Sequence, residues 1–263
     1  MIDQVPALTV ALLVAAALAA GWIDSVAGGG GVIQLPALLV GLPERAVAVI
    51  AGTNKLSSCA GTSVATATYL RKIRLHGPTA LIVVVTAYAG STAGARLVAY
   101  LPRAAFTPLV AVAVAAVGLY VLRTPNLGQR ERPRGGPWFQ RLAAAAIGLV
   151  CGVWDGLIGP GTGIFLVLGF VTVLGYAFLP ATALAKLANL TTNLAALVVF
   201  GLQGQVLWRL GACMAAANLA GGFVGARMAI RLGNRFIRRV FLVAVVLVEA
   251  RLLYDVVRQL LAP

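Results

Sequence analysis

Two lysines, Lys55 and Lys186, stand inside long apolar stretches of a 263-residue chain that has only three lysines in all. An ammonium at the centre of a membrane helix costs about 3 kcal/mol on insertion scales, so each needs a partner or a purpose. Asp24 and Asp155, in equally apolar settings, are the obvious counter-charges. Thr53, Asn54 and Ser57 surround Lys55, while Asn189, Thr191, Thr192 and Asn193 follow Lys186. At helical spacing Lys186, Asn189 and Asn193 share a face, as do Lys55 and Cys59. Ammonium, amide and hydroxyl groups together can bind a small oxyanion. Nothing among them resembles a nucleophile with its base, or a metal cluster. The alternative is structural: two internal Asp–Lys salt bridges that hold a bundle together.

Each acid is followed by a glycine cluster, Gly28, Gly29, Gly30 and Gly31 after Asp24, and Gly159, Gly161 and Gly163 with Pro160 and Thr162 after Asp155. A glycine costs about 1 kcal/mol in a helix interior relative to alanine, and proline removes a donor, so both clusters should break helix. Broken backbone at membrane depth is tolerated only where protein or a water-filled cavity surrounds it. Helices opening from such breaks present free N–H groups and a positive dipole end. Asp24 and Asp155 are placed to hold or release the lysines and to carry a coupling proton.

The two sets are copies. Gly21-Trp22-Ile23-Asp24 reappears, altered, as Gly152-Val153-Trp154-Asp155, 131 positions later, and the same offset relates Lys55 to Lys186, Gly90 to Gly221, Gly94 to Gly225 and Arg96 to Arg227. The chain therefore divides into a first repeat over 1–122, a basic linker over 123–138 and a second repeat over 139–263. Gly90, Gly94, Gly221 and Gly225, spaced by four, read as sites of close helix packing.

The elements that must position these residues lie in a membrane. With 60% apolar and 11% charged residues there is too little polar surface to solvate a globule. Apolar runs over 6–23, 45–70, 78–100, 104–122, 139–153, 180–201, 210–228 and 236–257 approach or exceed the roughly 20 residues of a spanning helix. Two shorter runs, 32–41 and 164–175, follow the glycine clusters; as full spans they bring the membrane segments to ten, and as re-entrant segments they leave eight. The expected fold is an all-α polytopic bundle of two inverted repeats with glycine-broken helices. Inversion follows from the arginines: the loop between the last two spans is Leu101-Pro102-Arg103 in the first repeat, but 231–239 in the second, with four arginines. The positive-inside rule then places Arg71, Lys72, Arg74, the linker arginines from Arg123 to Arg141 and Arg227 to Arg239 in the cytoplasm, with both termini outside.

The formal charge of +14 falls in loops between apolar runs, so it reads as a topology signal and lipid headgroup contact; nucleic acid is not an expected partner. Met1-Ile2-Asp3-Gln4 has no basic n-region, so the first apolar run reads as a retained span. Cys59, Cys151 and Cys213 match no metal or redox spacing, and His76 is the only histidine, which excludes histidine-ligated haem and most zinc chemistry. No cofactor or metal is expected, and the chain is not read as an enzyme.

The chain resembles the sulfite exporter TauE/SafE family of membrane transporters. The resemblance lies in Gly21-Trp22-Ile23-Asp24-Ser25 with Gly28 to Gly31, Gly52-Thr53-Asn54-Lys55, Asp155-Gly156 with Gly159-Pro160-Gly161-Thr162-Gly163, and Lys186-Leu187-Ala188-Asn189-Leu190-Thr191-Thr192-Asn193, and it extends over nearly the whole chain. It implies secondary export of sulfite or a small organosulfonate across the bacterial inner membrane, by a protein of eight spans. On this reading the substrate binds between the repeats, at the glycine-broken ends and the lysines, and one repeat moves against the other. A passive anion channel would share the site chemistry, and a non-transporting anchor subunit is the third reading. Homo-oligomerisation stays open.

Overall fold

The computed structural model describes residues 6–97, 128–157 and 159–261, without the side chains of residues 32, 247–249 and 251–261. The span expected over 104–122, the loop Leu101-Pro102-Arg103, Arg123, Ile158 and the first five residues lie outside the described residues.

Helix α1, Ala7–Ala27, is built of alanine and leucine, and its 21 residues rise about 31 Å, the thickness of a hydrocarbon core. It ends at Gly28, whose φ of 88° suits only glycine and whose N–H donates to Asp24 O at 2.8 Å. Helix α2, Gly31–Gly41, then folds back along α1: Gly30 packs on Ala20 and Asp24, and Gly41 on Thr9 and Leu13. Helices α3, Val47–Leu70, and α4, Gly77–Leu97, follow.

The second repeat has the same plan. Helix α5, Pro137–Leu157, ends near Gly159, again with φ 88°. Helix α6, Thr162–Gly169, prolonged by a π-turn at Phe170–Leu174, folds back on α5, with Phe165 edge-on to Trp154 at 5.3 Å and Gly169 against Ile147. Helix α7, Phe178–Leu202, is the most buried span, and α8, Trp208–Leu261, is interrupted by non-helical Gly233. The two short apolar runs are thus half-helices that return beside their predecessors.

Every described regular element is helical, which makes this an all-α membrane bundle. Among the described residues four helices are long and apolar enough to cross a membrane: Ala7–Ala27, Gly77–Leu97, Phe178–Leu202 and Trp208–Val246. Polarity runs from inside to outside. Leu8, Leu12, Val85, Val150, Val198 and Val243 are exposed, whereas Gln34, Lys55, Asp155, Lys186 and Asn218 are buried. Water would select the reverse, and lipid tails select this.

The repeats interleave instead of sitting side by side. Helix α4 of the first packs on α5 of the second, with Gly148 at Val83, Gly152 at Ala87 and Gly156 at Ser91, so the two run parallel. Their counterparts α8 and α1 meet in the same way, Gly221 at Leu18 and Gly225 at Trp22. Helix α3 also runs parallel to the first part of α8: the Leu207 N–H donates to Thr53 Oγ1 at 3.0 Å, Gly211 lies on Leu56 and Gly222 on Gly61. Two groups result, α1, α2, α3 and α8 as far as Gly233, and α4, α5, α6 and α7. Between them α3 runs antiparallel to α7, with Gly52 on Phe200 and Lys55 at Asn193.

At one end of the bundle the linker is tied down by its main chain. Arg132 N donates to Gly175 O at 2.8 Å, Arg134 N to Leu174 O at 3.1 Å, and Phe178 N to Gly128 O at 2.8 Å. Asn234, at the α8 break, donates to Gln129 O at 3.1 Å and accepts from Leu179 N at 2.8 Å. Arg130, Arg132, Arg134, Arg231 and Arg235 therefore gather at a single end.

A Cβ on Gly221 or Gly90 would overlap the main-chain oxygen of Leu18 or Leu149, whereas one on Gly77 would meet nothing. Gly221→Ala and Gly90→Ala are expected to cost about 1–3 kcal/mol each by overpacking. Gly77→Ala should be neutral, as read by thermal unfolding of the detergent-purified protein.

Candidate functional site

The lysines and aspartates pair, and they pair crosswise. Lys55 Nζ, from α3, lies 2.6 Å from Asp155 Oδ2 on α5, and donates to Asn193 Oδ1 on α7 at 3.1 Å. Lys186 Nζ, from α7, lies 2.8 Å from Asp24 Oδ2 on α1 and also donates to the main-chain oxygen of Asp24. Each lysine thus takes its counter-charge from the other repeat and from the other helix group. Charge sums to zero across the four residues.

Between the pairs lies a cavity of about 30 Å³, bordered by both glycine breaks. By volume it holds about two waters, so it is smaller than a hydrated oxyanion in this conformation. Its wall contains most of the residues singled out in the sequence: Asp24, Gly28, Gly31, Asn54, Lys55, Asp155, Gly159, Thr162, Gly163, Asn189 and Asn193. Gly31 and Thr162 open α2 and α6 at the cavity wall without a side-chain cap, so the positive dipole ends of both half-helices meet there, with the Thr162 N–H itself donating to Gly159 O at 3.3 Å. Gly28 and Gly163 are in backbone contact there, which a side chain at either would prevent.

Five expected site residues lie outside that wall. Gly29 faces Ile164 and Ala244, and Gly30 packs on Ala20 while its N–H donates to Asp24 Oδ1 at 3.4 Å. Gly161 is the N-cap of α6, and Thr53 donates to Val49 O at 2.7 Å on its own helix. Lys186, with no exposed surface, sits behind Asp24.

Sequence reading passed over Ser58, which lines the cavity. The signal was present, because Ser58 stands 131 positions before Asn189. It also passed over a buried amide cluster beside the cavity. Asn218 donates to Gln34 Oε1 at 2.7 Å, Ser57 donates to the same oxygen at 3.2 Å, and Gln34 donates to Asn54 O at 3.4 Å. Their counterparts in the other repeat are Ala87, Phe165 and Ala188, so repeat symmetry could not announce it. Among the described residues no group of three or more His, Cys, Asp or Glu could hold a metal ion.

A helical bundle with lipid-facing apolar surface, two half-helices opening on a buried polar cavity, and ion pairs inside the membrane defines a polytopic membrane transport protein. The chain belongs to the sulfite exporter TauE/SafE family, whose family model matches residues 13–252. It is 36% identical over 250 residues to a Haemophilus influenzae protein described as a probable membrane transporter protein, covering 93% of this chain and 94% of that one. It is 35% identical over 256 residues to the probable membrane transporter protein YfcA of Escherichia coli K12, covering 96% and 92%. A probable membrane transporter protein of Sinorhizobium, ORF9, is 36% identical over 247 residues, covering 93% and 92%. No solved structure matches the chain.

Removing one member of a buried pair leaves the other uncompensated, at about 3–5 kcal/mol. Lys55→Met is therefore expected to lower the unfolding temperature of the purified protein, and adding Asp155→Asn should restore more than half of the loss.

Proposed function

We propose that this protein is a secondary transporter that exports sulfite or a related small sulfur oxyanion across the bacterial inner membrane. The observation that carries this reading is the Lys55 ammonium at the wall of a cavity where two half-helix N-termini converge. Ammonium and free N–H groups together suit an oxyanion, and the sulfur chemistry comes from the family description. The anion would replace Asp155 as the partner of Lys55. Asp155, with Asp24, is the candidate coupling group, because a displaced carboxylate in this setting is neutralised most simply by a proton.

The repeats are proposed to be inverted. In support, α1, α3 and the first part of α8 share one direction, α4 and α5 share another, and α3 and α7 are antiparallel. With the arginine-rich end in the cytoplasm, the linker and the Gly233 turn lie inside and the start of α1 lies outside. Access would alternate by movement of the two helix groups against each other: glycine contacts fasten α1 to α8 and α4 to α5 within the groups, while the crossed ion pairs and the Gly28–Gly163 and Gly52–Phe200 contacts are the junctions that would have to shift. The small cavity between closed pairs favours a carrier over an open pore.

The test is uptake of labelled sulfite by proteoliposomes, with and without an imposed pH gradient, beside empty liposomes. Flux that follows the gradient and falls at least about tenfold in Lys55→Met/Asp155→Asn is expected, a loss of about 1.4 kcal/mol or more in transition-state terms. Flux no greater than in empty liposomes for sulfite, thiosulfate and methanesulfonate alike would remove the substrate assignment.

A further inference from the structure

We infer that the two lysines, equivalent in sequence, have separate tasks: Lys55 contacts the transported anion, and Lys186 is a permanent clasp on the broken end of α1. The assignment rests on the proposal that the cavity is the anion site. Lys55 reaches the cavity wall, and both of its hydrogen-bond partners, Asp155 Oδ2 and Asn193 Oδ1, are side-chain atoms that rotation can withdraw. Lys186 is fully buried and does not line the cavity. One of its two acceptors is the Asp24 main-chain oxygen, which also receives the Gly28 N–H and closes the last turn of α1. A cation there stabilises the negative end of the helix dipole, and rotation of the Asp24 side chain does not remove that acceptor.

Their surroundings differ in the same sense. Thr53, Asn54 and Ser57, beside Lys55, occupy the positions of Leu184, Ala185 and Ala188 beside Lys186. Asn193, which holds Lys55, corresponds to Thr62, whose hydroxyl turns onto its own helix and donates to Ser58 O at 2.7 Å, while Lys186 bonds to Asp24 atoms. An ammonium that exchanges partners needs polar groups beside it in the cavity; Asn54, Ser58 and Asn193 line the wall with Lys55, whereas Lys186 lies outside that wall. Lys186 serves the site at one remove, neutralising the wall carboxylate Asp24 without presenting a second cation to the anion, which leaves Asp155 alone of the two acids as the coupling group.

The experiment measures thermal unfolding of the detergent-purified full chain across a sodium sulfite titration, with sodium chloride at matched ionic strength as control. Lys55→Met/Asp155→Asn should unfold near the wild-type temperature, with its sulfite-dependent rise in midpoint weakened at least about tenfold in half-saturating concentration. Lys186→Met should unfold several degrees lower, yet keep the rise at a half-saturating concentration within about threefold of wild type, and Lys186→Arg should regain part of the lost midpoint. The assignment is overturned if Lys186→Met unfolds at the wild-type temperature, or loses the sulfite response as the Lys55 variant does. If the wild type responds to none of sulfite, thiosulfate and methanesulfonate, the anion site itself fails. Midpoints of the matched doubles then decide the clasp: lower for Lys186→Met/Asp24→Asn than for Lys55→Met/Asp155→Asn sustains it, because the main-chain contact is lost as well as the pair, and equal midpoints end it.

Discussion

An ammonium enclosed in apolar surroundings must be neutralised where it stands, and in this bundle neither lysine finds its carboxylate within its own repeat. That crossing organises the rest. It brings the ends of α1 and α5 together at one level, sets the two glycine breaks on either side of one cavity, and makes both repeats indispensable to a single site. The tight glycine contacts of α1 with α8 and of α4 with α5 then hold the four partners in reach of one another. Without the crossing, two neutral half-bundles could lie apart.

Glycine has two separate uses here. At Gly28 and Gly159 it supplies a left-handed backbone that ends a helix beside the cavity, within the bundle. At Gly90, Gly148, Gly152 and Gly221 it supplies absence of bulk, so that neighbouring main chains touch. The first use creates the polar cavity, and the second makes the framework around it stiff. A polar site inside a membrane needs both, because unsatisfied backbone groups are costly and loosely packed helices would admit lipid.

Much of this was legible in the chain. The membrane class, the duplication, the helix breaks and the acids and lysines that meet at the cavity follow from composition, spacing and the cost of buried charge. The short runs read as spans in the count of ten, yet they fold back, because eleven or thirteen residues cannot cross alone and periodicity does not tell a full crossing from a half-crossing. The crossed pairing was not legible, since each lysine lies nearer in sequence to its own repeat's aspartate, and partner choice is settled by packing between distant helices. Ser57 was marked by its nearness to Lys55, but its partners Gln34 and Asn218 escaped, because they lie far from it in the chain and their counterparts in the other repeat, Phe165 and Ala87, are apolar. Lys186 illustrates the converse: symmetry marked it as a cavity residue, and asymmetric surroundings took it behind Asp24.

The interleaved arrangement also has a consequence for biogenesis. Lys55 and Asp155 are separated by 100 residues, and Asp24 and Lys186 by 162. At ribosomal rates of about 5–20 residues per second, Lys55 is made about 5–20 s before its counter-charge exists. Helix α3 must therefore wait without the native counter-charge of Lys55, and Asp24 on α1 waits longer for Lys186 on α7. The first repeat is completed as a chain well before it is completed as a structure, so the cell's insertion apparatus has to shelter it until the second emerges.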